Sequence, residues 1–294
     1  MAVILMCGPS GSGKSTFARR LEEAGWTRLS FDVETWRHDV TSLPAPPELL
    51  DQIETELVGR LTDAVAAGED VVLDYSFATR ELRDRYRGLV AGLGVTAETV
   101  YLPVEGYLAV QRVRARHDAG PDDYRLDDGA VLAHVDGFEA PTFAEHPLRV
   151  VDGDVTVRHA GAADVPGLME FWEGSAENAA RPQDSVALVE ALVDRDPAAI
   201  LVAELEGRLV GSVIAGWDGW RAHLYRLAVA PEARGRGLAR RLLGHAEDRL
   251  RALGATRFDA MVLDENAAGA GLWRSAGYAP QGEWSRWVKP VGPA

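Results

Sequence analysis

A glycine-rich segment near the start of the chain has residues that suit the binding of an anion. It follows the apolar run from Ala2 to Cys7 and precedes an amphipathic stretch. Glycines let such a backbone curl until successive N–H groups point at one anion, and a following helix adds its positive N-terminal dipole. The spacing G-x-x-x-x-G-K-S predicts a nucleotide-phosphate site made by Gly8, Ser10, Gly11, Ser12, Gly13, Lys14, Ser15 and Thr16.

Two side chains of this segment suit a triphosphate. The Lys14 ammonium would reach the β- and γ-phosphates, and the Ser15 hydroxyl would ligate Mg²⁺. The alternative is an ordinary turn rich in Gly and Ser. The predicted strand before it and the predicted helix after it favour the phosphate site, because the motif needs both elements to aim its N–H groups.

Two aspartates follow predicted apolar strands. Asp32 comes after Leu29-Ser30-Phe31, and Asp74 comes after Val71-Val72-Leu73. Because parallel sheets place ligands at the carboxyl ends of their strands, both are predicted to face the glycine-rich loop. Asp74 could hold Mg²⁺ through water, and Asp32 could accept the proton of a substrate hydroxyl. Either could instead be a turn residue or a helix cap.

Two arginines later in the first half are candidates for a lid. Arg112 and Arg116 are four residues apart and share one helix face, a spacing that suits a clamp on phosphate oxygens. The alternative is a solvated basic face.

A second glycine-rich turn lies between a predicted strand and a predicted long helix, from Leu227 to Ala239. It also presents backbone N–H groups to an anion. It lacks a Lys-Ser pair, and its arginines Arg234 and Arg236 suit a pyrophosphate without Mg²⁺. A basic first turn of an ordinary helix is the alternative.

The secondary structure predicted around these loops differs between the two halves. Alternating apolar runs and amphipathic stretches up to Gly153 predict a parallel sheet with helices on both faces. Beyond it, consecutive apolar runs joined by short turns predict a mixed, mainly antiparallel α+β arrangement. The predicted fold class is therefore α/β in two domains, residues 1–153 and 154–294. The residue pattern also predicts strands at 27–31 and 284–288 and a polar loop at 118–128. In the first half it predicts helices at 14–24, 47–67, 79–92 and 104–117.

The first half resembles the small-molecule P-loop kinases, the group of gluconate kinase and chloramphenicol phosphotransferase, which is akin to zeta toxins. The resemblance implies ATP and Mg²⁺ as cofactors and Asp32 as the substrate base. It leaves the substrate open, because the group includes kinases of sugars, antibiotics and nucleotides. It is carried by Gly8 to Thr16, Ser30-Phe31-Asp32, Val72 to Phe77 with Arg80 and Arg83, Arg112 to Arg116, and Phe138 to Pro141.

The second half resembles the GNAT acetyltransferases, through the pattern Arg234-x-x-Gly237-x-Ala239 and the stretch from Asn266 to Tyr278. The resemblance implies acetyl-CoA and direct attack by an amine. The family's usual tyrosine acid is replaced by Trp273, whose indole N–H cannot usefully protonate a thiolate. The cofactor contacts implied are Leu227, Val229, Arg234, Gly235, Arg236, Gly237, Leu238, Ala239 and Asn266.

No single base or acid is evident in the second half. His223 and Tyr225 rank first for catalysis because their predicted strand leads into the loop. Tyr225, Tyr278 or water could replace the missing acid.

Charge and composition limit the partners. The chain has net charge −14, and its first half carries 15 Arg and Lys against 26 Asp and Glu. This charge disfavours nucleic acid and favours neutral or cationic small molecules. Cys7 is the only cysteine, which excludes a disulfide within one chain and favours the cytoplasm. No apolar stretch approaches the roughly 20 residues that cross a bilayer.

These observations predict a bifunctional transferase that phosphorylates a hydroxyl and acetylates an amine of a small molecule, with antibiotic or toxin modification or self-resistance as one hypothesis. Two alternatives remain. One is a kinase or acetyltransferase that modifies nucleic acid or tRNA, and the other is a chain in which one half is a non-catalytic nucleotide or CoA sensor.

Overall fold

The computed structural model describes residues 1–40, 45–116, 126–175 and 184–283, together with 285, 287 and 289. The polar loop predicted at 118–128 lies mostly outside these ranges. The strand predicted at 284–288 is described only at residues 285 and 287, and neither belongs to a strand.

The first half contains the expected alternation of strands and helices. Its strands are β1 (Val3–Cys7), β2 (Thr27–Ser30), β3 (Val71–Asp74), β4 (Ala97–Tyr101) and β5 (Leu148–Asp152). Its helices are α1 (Lys14–Glu23), α2 (Phe31–Arg37), α3 (Pro47–Ala66), α4 (Arg80–Gly92), α5 (Gly106–Ala115) and α6 (Asp128–Asp136).

The second half groups most of its strands in succession. Its strands are β6 (Val155–His159), β7 (Ile200–Leu205), β8 (Arg208–Trp217), β9 (Ala222–Val229) and β10 (Phe258–Ala260). Its helices are α7 (Val165–Gly174), α8 (Val186–Arg195), α9 (Leu238–Ala252) and α10 (Ala267–Ser275).

All ten of these strands join in one sheet, in the order β10-β9-β8-β7-β6-β5-β4-β1-β3-β2. The adjacent strands β2, β3, β1, β4 and β5 are parallel to one another. Each adjacent pair from β5 through β6, β7 and β8 to β9 is antiparallel, and β10 is parallel to β9. This confirms the predicted fold class. The predicted boundary between residues 153 and 154 falls in the turn of the β5–β6 hairpin and stays a prediction.

The apolar residues of β1 show why the parallel region is covered on both faces. Val3 and Leu5 belong to a buried cluster with residues of α3 and α4, whereas Ile4 and Met6 belong to another with Ala18 of α1. Successive side chains of a strand point to opposite faces, so a continuous apolar run needs helices on both sides.

The hydrophobic core crosses from one half into the other. Leu148 and Val150 of β5 share a buried cluster with Leu242 and Leu243 of α9. The sequence pattern predicted two domains, whereas the sheet and this cluster connect the two halves.

Two first-half helices were absent from the prediction. The strand predicted at 27–31 ends at Ser30, because the Ser30 hydroxyl accepts the Val33 N–H at 3.4 Å and caps α2. Asp32 consequently lies in the first turn of a helix rather than at a strand end. Asp127 caps α6 in the same way, accepting the Ala130 N–H at 2.8 Å.

Candidate active sites

The first glycine-rich loop connects β1 to α1, as predicted. Gly11 and Gly13 have φ values of 79° and 103°, in the region that favours glycine. A Cβ on Gly11 would lie 2.7 Å from the Ala109 carbonyl oxygen, so glycine is needed for the close approach of α5. Gly13 precedes the first turn of α1, whose N–H groups have no partner within the helix. The loop therefore has the glycine conformations expected of a phosphate site, and its role as one stays a prediction.

A cavity of about 660 Å³ lies beside this loop. The Lys14 side chain lines it and donates to the Pro9 carbonyl oxygen at 3.0 Å. Burial lowers the pKa of Lys14 below its usual value, while Asp74 and Asp32 act in the opposite direction. The predicted phosphate-site residues that line the cavity are Ser10, Gly11, Gly13, Lys14 and Ser15.

Asp74, the last residue of β3, is buried and connects two side chains. Its Oδ1 accepts from the Ser15 hydroxyl at 3.4 Å, and its Oδ2 accepts from Arg28 Nε and Nη2 at 3.1 and 2.5 Å. The structure thus brings together the two residues predicted to hold Mg²⁺. Their assignment as metal ligands stays a prediction.

Asp32, on α2, lines the same cavity, and its negative charge raises the pKa of Lys14. The cavity therefore places a carboxylate, an ammonium and the glycine-rich loop around one space. The predicted role of Asp32 as base stays a prediction.

The two predicted lid arginines have different positions. Arg112 on α5 donates through Nη1 to the carbonyl oxygens of Gly11 and Ser12, each at 3.3 Å. Arg116, which follows α5, lines the cavity. Arg112 therefore braces the loop, while Arg116 is the member of the pair next to the space where phosphates would bind.

Aromatic side chains also line the first cavity. Tyr75 contacts Phe31, with ring centroids 5.6 Å apart, and lies at the same centroid distance from Tyr86. Beside them, Glu54 accepts the Tyr86 hydroxyl at 2.9 Å and pairs with Arg85. All five residues line the cavity together with the loop.

The second glycine-rich loop connects β9 to α9. Gly235 and Gly237 have φ values of 75° and 76°, and Gly237 is the residue immediately before α9. A cavity of about 780 Å³ lies beside the loop. The predicted cofactor contacts that line it are Leu227, Val229, Arg234, Gly235, Gly237, Leu238, Ala239 and Asn266.

The arginines of this loop point to different partners. Arg234 Nε donates to the Val229 carbonyl oxygen at 3.1 Å and lines the cavity. Arg236 Nη2 pairs instead with Asp154 of the β5–β6 turn at 2.6 Å, and it is absent from the described lining. Its assignment as a cofactor contact stays a prediction.

A β-bulge opens the sheet at the second cavity. Tyr225 pairs with Ile214 and Ala228 with Ser212, so Arg226 and Leu227 oppose the single residue between them on β8. Arg226 has a φ of 51°, and its carbonyl oxygen accepts from the Ser212 hydroxyl at 2.9 Å. The bulge interrupts the β8–β9 ladder beside the loop.

Comparison with known proteins identifies both halves. The family described as "AAA domain" matches residues 3–141, and the "Acetyltransferase (GNAT) family" matches residues 166–278. An acetyltransferase of Pectobacterium atrosepticum is 35% identical over 116 residues, covering 39% of this chain and 81% of that protein. The chain belongs to the GNAT acetyltransferase family.

The GNAT match is confined to the second half. An acetyltransferase of Yersinia enterocolitica is 40% identical over 93 residues, which are 32% of this chain, and the chain spans 66% of that relative's length. Among solved structures, a gluconokinase from Sinorhizobium meliloti is 20% identical, with 51% of this chain and 82% of that chain covered and a TM-score of 0.37. The resemblance to a P-loop kinase-like domain joined to a GNAT domain is confirmed.

In the GNAT half, the candidates for the general acid differ in their positions relative to the cavity. Tyr225 and Trp273 line the cavity, whereas Tyr278 is absent from the described lining and donates its hydroxyl to Glu247 at 2.8 Å. Burial raises the pKa of Tyr278, with a further rise from Glu247. His223 stacks on Tyr225 with ring centroids 5.8 Å apart and is also absent from the described lining.

Asn266 has a structural role that the sequence did not indicate. Its side chain caps α10, accepting the Gly269 N–H at 2.6 Å, while the residue lines the GNAT cavity.

Arg28, His134 and Ser212 are among the site residues that the sequence did not indicate. Arg28 pairs with Asp74, His134 contacts Ser10 in the first loop, and Ser212 holds the bulge. Each contact joins residues at least 14 positions apart, so no local spacing in the sequence indicated it.

Within the described ranges, no helix is long and apolar enough to span a membrane. The same part of the chain contains no cluster of three or more His, Cys, Asp or Glu residues that could hold a metal.

Proposed function

We propose that the chain is a bifunctional transferase. The first half transfers a phosphoryl group from ATP to a hydroxyl of a small molecule, and the GNAT half transfers an acetyl group from acetyl-CoA to an amine. One observation carries the proposal: each half has a glycine turn, between the carboxyl end of a strand and the start of a helix, that opens into a cavity of small-molecule size.

The residues around the first loop fit ATP with Mg²⁺. The Ser12 hydroxyl is buried and, within the described chain, has no hydrogen-bond partner. Ser15 and Asp74 supply the hard oxygen atoms that Mg²⁺ prefers, and a nucleotide-bound Mg²⁺ needs only one or two protein ligands because phosphates and water provide the rest. When bound, the ion would neutralise charge on the phosphates.

The side chains of the first cavity have different roles in phosphoryl transfer. Lys14 and the loop N–H groups hold the phosphates, and Arg116 adds positive charge from α5. Asp32 accepts the proton of the acceptor hydroxyl, and its position in the same cavity as Lys14 supports that role. The aromatic side chains of Phe31, Tyr75 and Tyr86 hold the body of the acceptor.

In the GNAT half, the bulge and the loop would hold the cofactor. The bulge interrupts the ladder at Leu227, so backbone groups beside it can face the thioester arm. The turn at Gly235 and Gly237 directs N–H groups at the start of α9 toward the pyrophosphate. Tyr225 lines this cavity and takes the acid role that Trp273 cannot perform.

The sheet geometry supports two separate reactions. Strands β1 and β9 run in the same direction and are six strand positions apart, so about 29 Å separates them at a spacing of about 4.8 Å. A twist of about 20° per strand turns their ends away from each other by roughly 120°. A substrate of both sites would therefore leave one cavity before it enters the other.

The acceptors are neutral or cationic small molecules with a hydroxyl or an amine. The first half carries 15 Arg and Lys against 26 Asp and Glu, which disfavours a polyanion.

Mass spectrometry of products tests the proposal. Amino sugars, amino acids and nucleosides are incubated with the full chain and ATP, acetyl-CoA, or both. We expect a phosphorylated product only with ATP and an acetylated product only with acetyl-CoA. Lys14→Ala should remove the first product and Gly237→Val the second. A folded protein that hydrolyses and transfers neither donor, and binds neither, would contradict the proposal.

A further inference from the structure

The contact between His134 and Ser10 has no role in the function proposed above. His134 lies on α6, 124 residues from Ser10 in sequence, and lines the first cavity. Its Nδ1 accepts the Ser10 backbone N–H at 3.3 Å and lies 2.8 Å from the Ser10 hydroxyl oxygen. A ring that accepts this N–H through Nδ1 needs a lone pair there, and is therefore neutral with its proton on Nε2.

The groups around His134 maintain that neutral form. Burial lowers the pKa of His134, and the positive charge of Lys14 lowers it further. Helix α5 packs against α6 and contributes Arg112 and Arg116 on the side of the loop. The charged groups on α6 and its cap are Asp127, Asp128 and Asp136, and Asp128 pairs with Arg114.

A bound triphosphate would reverse this balance. It brings several negative charges to the loop that contains Ser10 and Lys14, and negative charge favours the protonated form of a nearby imidazole. A protonated ring cannot accept the Ser10 N–H through Nδ1. It releases that N–H to the phosphate cradle and itself becomes a donor.

We propose that His134 is a further phosphate-binding residue of the first cavity, and that it takes up one proton from solvent when ATP binds. This inference rests on the proposed phosphotransferase function.

Calorimetry of a nucleotide that is not hydrolysed tests the inference. The full chain is titrated with adenylyl imidodiphosphate and Mg²⁺ at neutral pH, in two buffers that differ in ionisation enthalpy. The difference between the observed heats gives the number of protons taken up. We expect the wild type to take up close to one proton more than His134→Asn, whose amide can still accept the Ser10 N–H but cannot titrate.

His38→Asn is the matched control, because His38 is exposed at the end of α2. It should retain the uptake. The affinity of the wild type should also increase as pH falls from about 8 to 6, by up to tenfold per pH unit, with a weaker dependence in His134→Asn. The protonation of the ligand itself is common to all variants.

The outcomes separate the two proposals. Nucleotide binding with the same proton uptake in His134→Asn as in the wild type would overturn the role of His134 alone. A folded chain that binds no nucleotide in either buffer would overturn the phosphotransferase assignment, and this inference with it.

Discussion

Arg28 and Asp74 form a buried ion pair at the phosphate loop, in which Nε and Nη2 of the guanidinium donate to one carboxylate oxygen at 3.1 and 2.5 Å. The other oxygen accepts from Ser15 at 3.4 Å. The carboxylate thus has a fixed orientation, with one oxygen held by β2 and the other directed at the first turn of α1.

Removal of the Arg28 charge should destabilise the fold. The side chains of Arg28 and Asp74 are 7% and 2% exposed, and a buried carboxylate that loses its partner costs about 3 kcal/mol or more. We expect Arg28→Met to lower the free energy of unfolding in urea by roughly that amount. Arg80→Met, which breaks the exposed pair with Asp84, should cost less than about 1 kcal/mol. Equal losses in the two variants would show that the buried pair stabilises the fold no more than the exposed pair does.

The base assignment predicts the effect of Asp32→Asn. An amide cannot accept the hydroxyl proton, so phosphoryl transfer should slow by roughly 100-fold or more, with ATP affinity nearly unchanged. Asp63→Asn, an exposed change on α3, is the control. Transfer rates at saturating ATP and calorimetric titrations measure the two quantities. Full activity in Asp32→Asn would remove this residue from the mechanism.

The glycine-rich loops could be predicted from sequence because the chemistry and the local structure are encoded in the same short segment. Gly13 and Gly237 each precede a helix that the pattern of apolar residues also indicated. Helix α2 was missed because it is only 7 residues long and begins directly after a strand, without an intervening turn. The Ser30 cap makes that abrupt change possible.

The rest of the sites depends on contacts that no local pattern encodes. The bulge at Arg226 is fixed by the register between β8 and β9, and by the chain in which Trp172 Nε1 donates to Ser212 Oγ at 2.8 Å and Ser212 Oγ donates to the Arg226 carbonyl oxygen. His134 reaches Ser10 across 124 residues. Such pairs are known only once the sheet and the helices around it have been assembled.

The acid assignment in the GNAT half predicts a difference between two tyrosines. Tyr225→Phe should decrease the rate of acetyl transfer by roughly 100-fold and leave the KM for acetyl-CoA nearly unchanged. Tyr278→Phe should keep the rate and lose about 1 kcal/mol of stability, because its hydroxyl is bound to Glu247. Steady-state rates with one acceptor decide this point, and a fully active Tyr225→Phe would exclude Tyr225 as the acid.

Because the His159 imidazole is buried, we expect the fold to lose stability in acid. Its Nδ1 accepts the Leu148 N–H at 3.4 Å, its Nε2 lies 3.1 Å from the Phe143 carbonyl oxygen, and burial lowers its pKa from 6.5 to about 3. The unfolded chain therefore binds a proton between these pH values that the folded chain does not. His159 therefore leaves the free energy of unfolding unchanged above about pH 6.5 and lowers it as the pH falls below that value, by about 2 kcal/mol at pH 5.

Urea unfolding of the wild type and His159→Gln across this pH range isolates that contribution. The carboxylates titrate in both proteins, so only the difference between the two curves belongs to His159. We expect the variant to be less stable at neutral pH and to lose less stability between pH 6.5 and 5. Parallel curves would show that His159 does not remain neutral in the folded chain.

Each half should bind its own phosphate-bearing cofactor through its own glycine loop, and calorimetry of ATP and acetyl-CoA with three variants measures this. Lys14→Ala should lose ATP and keep acetyl-CoA, because the two loops belong to different strands of the sheet. Gly237→Val should lose acetyl-CoA and keep ATP, since φ at that position is 76° and valine is strained there. Arg236→Ala should weaken acetyl-CoA by tenfold or less, about 1.4 kcal/mol, because this arginine is partly exposed and pairs with Asp154. A folded Gly237→Val protein that binds acetyl-CoA normally, or a folded Lys14→Ala protein that loses both ligands, would contradict the account.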